Sequence, residues 1–380
     1  MLKRALALML SICFSLALFG CVSFGKGPAE TEQVVAIATS VPTAEPTLEP
    51  TPEPTPEPSP VPTPEPTPEP TPAPWELPYE EYKCRVNSVN IRSGPDLSSE
   101  ILCSVGFEDI VNVVGREGDF YAVCMDNELR YCYADYFVPA DEPLYGYMPQ
   151  WSEYKLDKDG EIVYEDGKPV VLTSQLVDIR LVAPDIEIYQ IFGTEENFTG
   201  QQLYKRSVPV IQAATAIKLA EAAEAFAAEG YRIKIYDCYR PKSVQFILYD
   251  IVQDSRYIAD PYKSASNHNR AAAVDMTLIG PDGNELDFPT PMHTFGKIVH
   301  RESSGKWTQV QRDNVDYMTE MMLAHGFKLI TTEWWHFSDT DYASFIVMDI
   351  DMRDIPMYTA AQIYELSGGQ FGSPAANGAD

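Results

Sequence analysis

The chain has 380 residues and carries 56 Asp and Glu against 28 Lys and Arg, a formal net charge of −28. That balance excludes the electrostatic grip on phosphate that nucleic-acid binding needs, and adhesion to anionic lipid by charge alone. Hydrophobic residues make up 45% of the chain, enough for the cores of one small and one medium domain beside a polar linker.

Lys3 and Arg4 precede an apolar run from Ala5 to Phe19, then Gly20 and Cys21. A basic start, a short apolar stretch and a small residue predict an export signal over residues 1–21, too short for a comfortable membrane span. Cys21 after Leu18-Phe19-Gly20 resembles the lipidated cysteine of bacterial lipoproteins, which implies a membrane lipid anchor and a place on the outer face of the cytoplasmic membrane. A plain secretory signal, leaving the protein in the cell wall, or an uncleaved anchor are the alternatives. Residues 22–77 form a linker. Thr-Pro-Glu-Pro repeats run from about Thr51 to Pro72, and no Lys or Arg falls between Lys26 and Lys83. Such a composition cannot bury a core and predicts a disordered, extended polyproline spacer. At about 3.1 Å per residue it reaches on the order of 100 Å from a membrane. Binding to proline-recognition domains is the other use of such a stretch.

Residues 78–140 hold short β-rich runs at Cys84–Val86, Val89–Arg92, Asp109–Val114 and Phe120–Val123, with turns at Ser93–Asp96 and Gly115–Asp119. That spacing predicts a small all-β barrel. Val89-Asn90-Ile91-Arg92-Ser93-Gly94-Pro95, Tyr121-Ala122-Val123 and the closing Tyr133-Ala134-Asp135-Tyr136-Phe137 resemble a bacterial SH3-like domain. The resemblance implies either peptidoglycan binding or a spacing role. Cys84, Cys103, Cys124 and Cys132 allow three disulfide pairings in an exported domain, with buried free thiols as the alternative.

Residues 149–353 read as α+β, with 354–380 as a tail. Tyr154–Val171 carries two hairpin-like turns; Gln212–Gly230 is an alanine-rich amphipathic helix; Tyr231–Tyr236 alternates as a strand. A helix begins over Ser243–Tyr249, Val274–Ile279 is a buried strand followed by a turn at Pro281–Asn284, and Val315–His325 is a helix stopped by Gly326. Phe327–Thr332 is the strand leading into Glu333-Trp334-Trp335-His336.

Chemistry concentrates in that last segment and in Ser266 to Asp275. His268, Asp275 and His336 are the right types for a catalytic zinc site, which takes three protein ligands and keeps one position open. Glu333 is placed beside them as a general base. Residues three apart face opposite sides of a flat strand, so the Glu333–His336 segment must leave the sheet at the metal.

Asp237-Cys238-Tyr239-Arg240-Pro241, Ser266 through Asp275, and Glu333-Trp334-Trp335-His336 occur in the order found in VanX-type D-alanyl-D-alanine dipeptidases, and Asn197-Phe198-Thr199-Gly200 is a further match. The unit resembles that zinc D-Ala-D-Ala metallopeptidase family. The resemblance implies one Zn2+ per chain, Arg240 as stabiliser of the oxyanion, Asp237 as its support, and Ser266, Tyr239 and His293 at the substrate. It implies hydrolysis of D-Ala-D-Ala or related short D-amino-acid peptides in cell-wall metabolism. A D,D- or L,D-carboxypeptidase trimming peptidoglycan stem peptides, and a non-catalytic wall-binding protein, are the alternatives. Two positions depart from the family: Ala271 stands where glycine is usual, and His293 stands where an aspartate holds the dipeptide's amino group. Asp287 is the nearest residue that could replace that aspartate. Of the remaining histidines, His325 suits a helix C-terminus and His300 a solvated loop.

Overall fold

The computed structural model describes residues 72–374. The export signal, Cys21 and the repeats before residue 72 lie outside the described residues.

Seven strands follow a short turn at Pro74–Glu76: β1 (Glu80–Cys84), β2 (Val89–Arg92), β3 (Ile101–Val105), β4 (Ile110–Glu117), β5 (Phe120–Met125), β6 (Glu128–Tyr133) and β7 (Phe137–Pro139). They form one antiparallel sheet in the order β3-β2-β6-β5-β4-β1-β7. Alternate residues such as Val89 and Ile91, and Val111 and Val113, turn into one small core with Cys84, Val123 and Cys132. All five cysteines among the described residues are unpaired thiols. Burial pushes Cys132 up to about 12, so it is an inert packing residue rather than a nucleophile.

The larger domain begins four residues before the expected boundary, with β8 (Tyr145–Tyr154). A small hairpin of β9 (Tyr164–Glu165) and β10 (Lys168–Pro169) leads to β11 (Val171–Asp178), then α1 (Ile179–Val182), β12 (Glu187–Ile188), β13 (Val210–Gln212) and α2 (Ala213–Ala228). β14 (Arg232–Asp237), α3 (Lys242–Val252), β15 (Ala273–Ile279), α4 (Gln309–Ala324), β16 (Phe327–Leu329) and β17 (His336–Asp339) follow. β18 (Met357–Tyr358) and α5 (Ala360–Leu366) close the chain. The stretch expected as a tail is therefore structured: β18 pairs with β8, and Ile363 and Phe371 are buried in the main core.

Two sheets carry this domain, β13-β11-β8-β18 and β12-β14-β15-β17-β16. In the second, only β12 and β14 run parallel. α2 and α4 cover it with Leu219, Ala222, Phe226, Val315, Met318 and Met322, which meet Ile233, Ile235, Met276 and Leu278 from the strands. Every residue of β15 is buried, as its unbroken apolar run predicts. α4 starts six residues earlier than the apolar periodicity suggests. Thr308 caps it, accepting from the Gln311 N–H while the Gln311 side chain accepts from Thr308 N–H, so a polar first turn is helical by capping rather than by burial.

Candidate active site

Three strands deliver one row of side chains. Asp275 in the middle of β15 lies opposite Asp237 of β14 on one side and His336 of β17 on the other. Opposed residues of an antiparallel ladder project to the same face, so the row converges by construction. Asp237 does not face a reactant. Its Oδ2 accepts from Nε and Nη2 of Arg240 at 2.9 and 2.6 Å, and its Oδ1 accepts from the Tyr204 hydroxyl at 2.8 Å. Gln245 accepts a further bond from Arg240 Nη1 at 2.8 Å, so the guanidinium is fixed on two sides.

His268 rides on a single 3-10 turn, Asn267–Arg270. Ser266 caps that turn, its hydroxyl accepting from the His268 N–H at 3.3 Å. Asn269 Nδ2 donates to the Arg240 carbonyl, and the Arg240 N–H donates to the His268 carbonyl. The two functional turns are thereby laced together. Ala271 ends the turn at φ +51°, the left-handed conformation for which glycine would be the easier residue.

His268 Nε2 lies 3.1 Å from His336 Nδ1. Asp275 Oδ1 is 2.9 Å from the same His336 nitrogen and 3.3 Å from His268 Nε2. Behind this cluster His268 Nδ1 donates to the Cys238 carbonyl at 2.8 Å, which leaves Nε2 as a bare lone pair, and His336 Nε2 rests against Ser338 Oγ at 2.8 Å. Each imidazole is thus oriented by a partner on its far side, as metal-binding histidines usually are. Burial lowers the His336 pKa, against the pull of Asp275, so the ring stays neutral. Asp275 is held far below the usual carboxylate range: burial works the other way but is outweighed by His268 and by bonds with His293 and His336. Two imidazoles and a carboxylate, in reach of one another and nearly shut off from solvent, fit a zinc ion.

Glu333 lies outside β17, in the bend before it, which frees it from strand alternation. Its Oε2 is 3.9 Å from His336 Nδ1. Burial raises its pKa well above the ordinary range, Asp275 adds to this and Arg240 opposes it, the environment of a proton-transfer group. Glu333, Arg240, His268, Asp275 and His336 all line one cavity of about 240 Å³.

Of the residues expected at the substrate, Ser266 and His293 line this cavity. Tyr239 does not: it is fully buried in a second core and its hydroxyl donates to the Ile350 carbonyl. Asp287 faces elsewhere and accepts from Gln311. His300, expected in solvent, is buried, with Nε2 against the Tyr257 hydroxyl. His325 does sit at the end of α4, Nδ1 on the Met321 carbonyl. Gln245 and Ser338 are site residues the sequence reading passed over. Ser338, two residues after His336 on one strand, shares its face, and that periodicity was available.

Residues 172–355 match the family model described as D-Ala-D-Ala dipeptidase, and residues 87–138 match that of a bacterial SH3 domain. The D-alanyl-D-alanine dipeptidase of Escherichia coli is 30% identical over 173 residues, covering 46% of this chain and 89% of that protein. The enzyme of the same name from Enterococcus faecalis is 28% identical over 170 residues, covering 40% and 84%. A vancomycin-resistance D,D-pentapeptidase solved with Zn(II) is 15% identical, with 35% of this chain and 79% of that one covered and a TM-score of 0.23. The matched family is one of metallopeptidases. With a relative 30% identical over nearly its whole length, the chain belongs to the D-Ala-D-Ala dipeptidase family.

Proposed function

We propose that this protein hydrolyses the peptide bond between two D-alanines, in D-alanyl-D-alanine or related short D-amino-acid peptides, using one zinc ion per chain held by His268, Asp275 and His336. The observation that carries this reading is the convergence of those three donors, with Glu333 beside them, on the wall of a single cavity. The names of the relatives support the substrate class. When bound, zinc supplies Lewis acidity, polarising the scissile carbonyl and acidifying water. Glu333 takes the proton from the attacking water and hands it to the leaving amine, for which its raised affinity for a proton suits it. Arg240, immobilised by Asp237 and Gln245, holds positive charge beside the cavity where the carbonyl oxygen becomes anionic. The role belongs to cell-wall metabolism, with the SH3-type domain free to contact peptidoglycan and Cys21 carrying a lipid anchor on the outer face of the cytoplasmic membrane.

The test is zinc content together with turnover. The wild-type chain should hold one zinc and release D-alanine from a D-Ala-D-Ala unit, free or N-acylated, and should leave L-Ala-L-Ala uncleaved. Full zinc occupancy in His336→Ala, or no cleavage of either D-peptide, would overturn the reading.

A further inference from the structure

We propose that His293 makes this site selective for peptides acylated on the amino side of the D-Ala-D-Ala unit, so that a terminal D-alanine is trimmed from longer peptides in preference to splitting the free dipeptide. The proposal rests on the reading of the site above and names its substrate class. A free dipeptide enters as an ammonium, and a site that selects it must offer an anion. Among the described residues lining the cavity the only carboxylates are Asp275 and Glu333. Asp275 is fully committed, Oδ1 to the two metal-site histidines and Oδ2 to His293 Nε2 at 3.0 Å. Glu333 must stay available for the proton of the attacking water. No negative charge remains for the amine.

His293 cannot supply one. As a neutral ring it donates Nε2–H to Asp275 Oδ2; as a charged ring it is a cation. Its surroundings fix the ring in place. Phe192 stacks on the imidazole at 5.1 Å and 14°, and Trp335 meets it edge-on at 5.9 Å. Phe198 packs on Phe192 and Phe295 packs on Phe198, continuing the aromatic wall. His293 Nδ1 is buried with no hydrogen-bond partner. The residue also has φ +54°, a backbone state that persists where packing dictates it, so the ring is a built feature rather than a loose loop side chain. An ammonium here gains at most a cation–π contact, as Arg240 does over Phe192 at 5.2 Å, and finds no carboxylate to balance its charge. An amide nitrogen is neutral and loses far less. Selectivity here arises from what the site withholds.

The experiment compares D-Ala-D-Ala with N-acetyl-D-Ala-D-Ala on the zinc-loaded full chain. Calorimetric binding is measured on Glu333→Gln, and kcat/KM on the wild type. The acetylated peptide should bind more tightly and turn over with a higher kcat/KM by about tenfold or more, the scale of one charge-assisted hydrogen bond forgone by the ammonium. His293→Asp should narrow the gap by about tenfold, whereas His293→Asn, which loses the same ring without adding charge, should not. Equal binding, or tighter binding of the free dipeptide, overturns the proposal. If neither peptide is cleaved while the acetylated one still binds more tightly, the hydrolase reading fails and the selectivity stands. If neither is bound, both fail.

Discussion

Glu333 answers two opposed demands. The proposed catalysis wants a proton acceptor beside the three metal-site donors, while folding would prefer no carboxylate in a place this dry. Its pKa in the folded, metal-free protein is raised by burial and by Asp275, above the ordinary value of about 4.3. A raised pKa gives stability that is complete below that ordinary value and lost as pH climbs through the folded one. At neutral pH the carboxylate is therefore a net burden, and glutamine in its place is not. Metal-free Glu333→Gln should accordingly melt above wild type at pH 7, with the difference shrinking toward pH 4. Its zinc-loaded form should lose about 10²- to 10⁴-fold in kcat. Melting curves in chelator at both pH values, set beside turnover, check both halves; equal melting temperatures at pH 7 would refute the first. At this scale the sequence was informative where spacing itself encodes chemistry, as for His268, Asp275 and His336. It was silent on His293 gripping Asp275, because that contact depends on where a loop from another part of the chain comes to rest.

The one-turn helix Asn267–Arg270 is the element on which His268 depends, and Ala271 is what ends it. Ala271 has no exposed surface, and its carbonyl accepts from the Gln212 N–H at 2.8 Å. A β-branched residue there would combine an unfavourable positive φ with overpacking. Ala271→Val should cost about 2–4 kcal/mol in stability and weaken zinc binding by displacing His268. Ala271→Gly relieves φ but forfeits a buried methyl, so it should stay within about 1 kcal/mol of wild type. Chemical denaturation and zinc titration of the pair separate backbone from metal effects. Elements with strong apolar periodicity, α2 and β15, could be placed from the sequence almost to the residue. The first turn of α4 could not, since its hydrophilic residues are helical through the Thr308 cap. α5 also escaped notice, because its buried face is contributed by few residues.

Two arginines join the SH3-type domain to the peptidase. Arg206 Nη1 donates to the Asn87 side chain, while Nη2 donates to the carbonyls of Met352, Arg353 and Ile355. The Arg206 guanidinium also lies 4.4 Å from the centre of the Phe107 ring. Arg85 donates to the Met357 carbonyl and stacks over Tyr358. The chain from Met352 to Tyr358 is thus clasped from both sides. Arg206→Ala should release it at a cost of about 1–3 kcal/mol, read as faster hydrogen exchange over residues 352–358 with the metal-site amides unchanged. Uniform protection in the variant would show that Arg85 alone suffices. Nothing in local composition marks Arg206 for this task. It is one arginine in a polar loop, and its partners are distant in sequence.

The row formed by Asp237, Asp275 and His336 also has a bearing on how the protein matures. Asp275 and His336 are 61 positions apart, and His268 and His336 are 68 apart, so no stretch of nascent chain can present the donor set by itself. β14, β15 and β17 must first find one another, and such distant pairings come late in folding. A molecule with its central sheet unfinished has at most a weak, incomplete hold on zinc, and one that has finished gains stability from the ion it then captures. On the proposed reading, metal capture is then a checkpoint: hydrolytic competence arrives only in molecules whose central sheet has closed correctly.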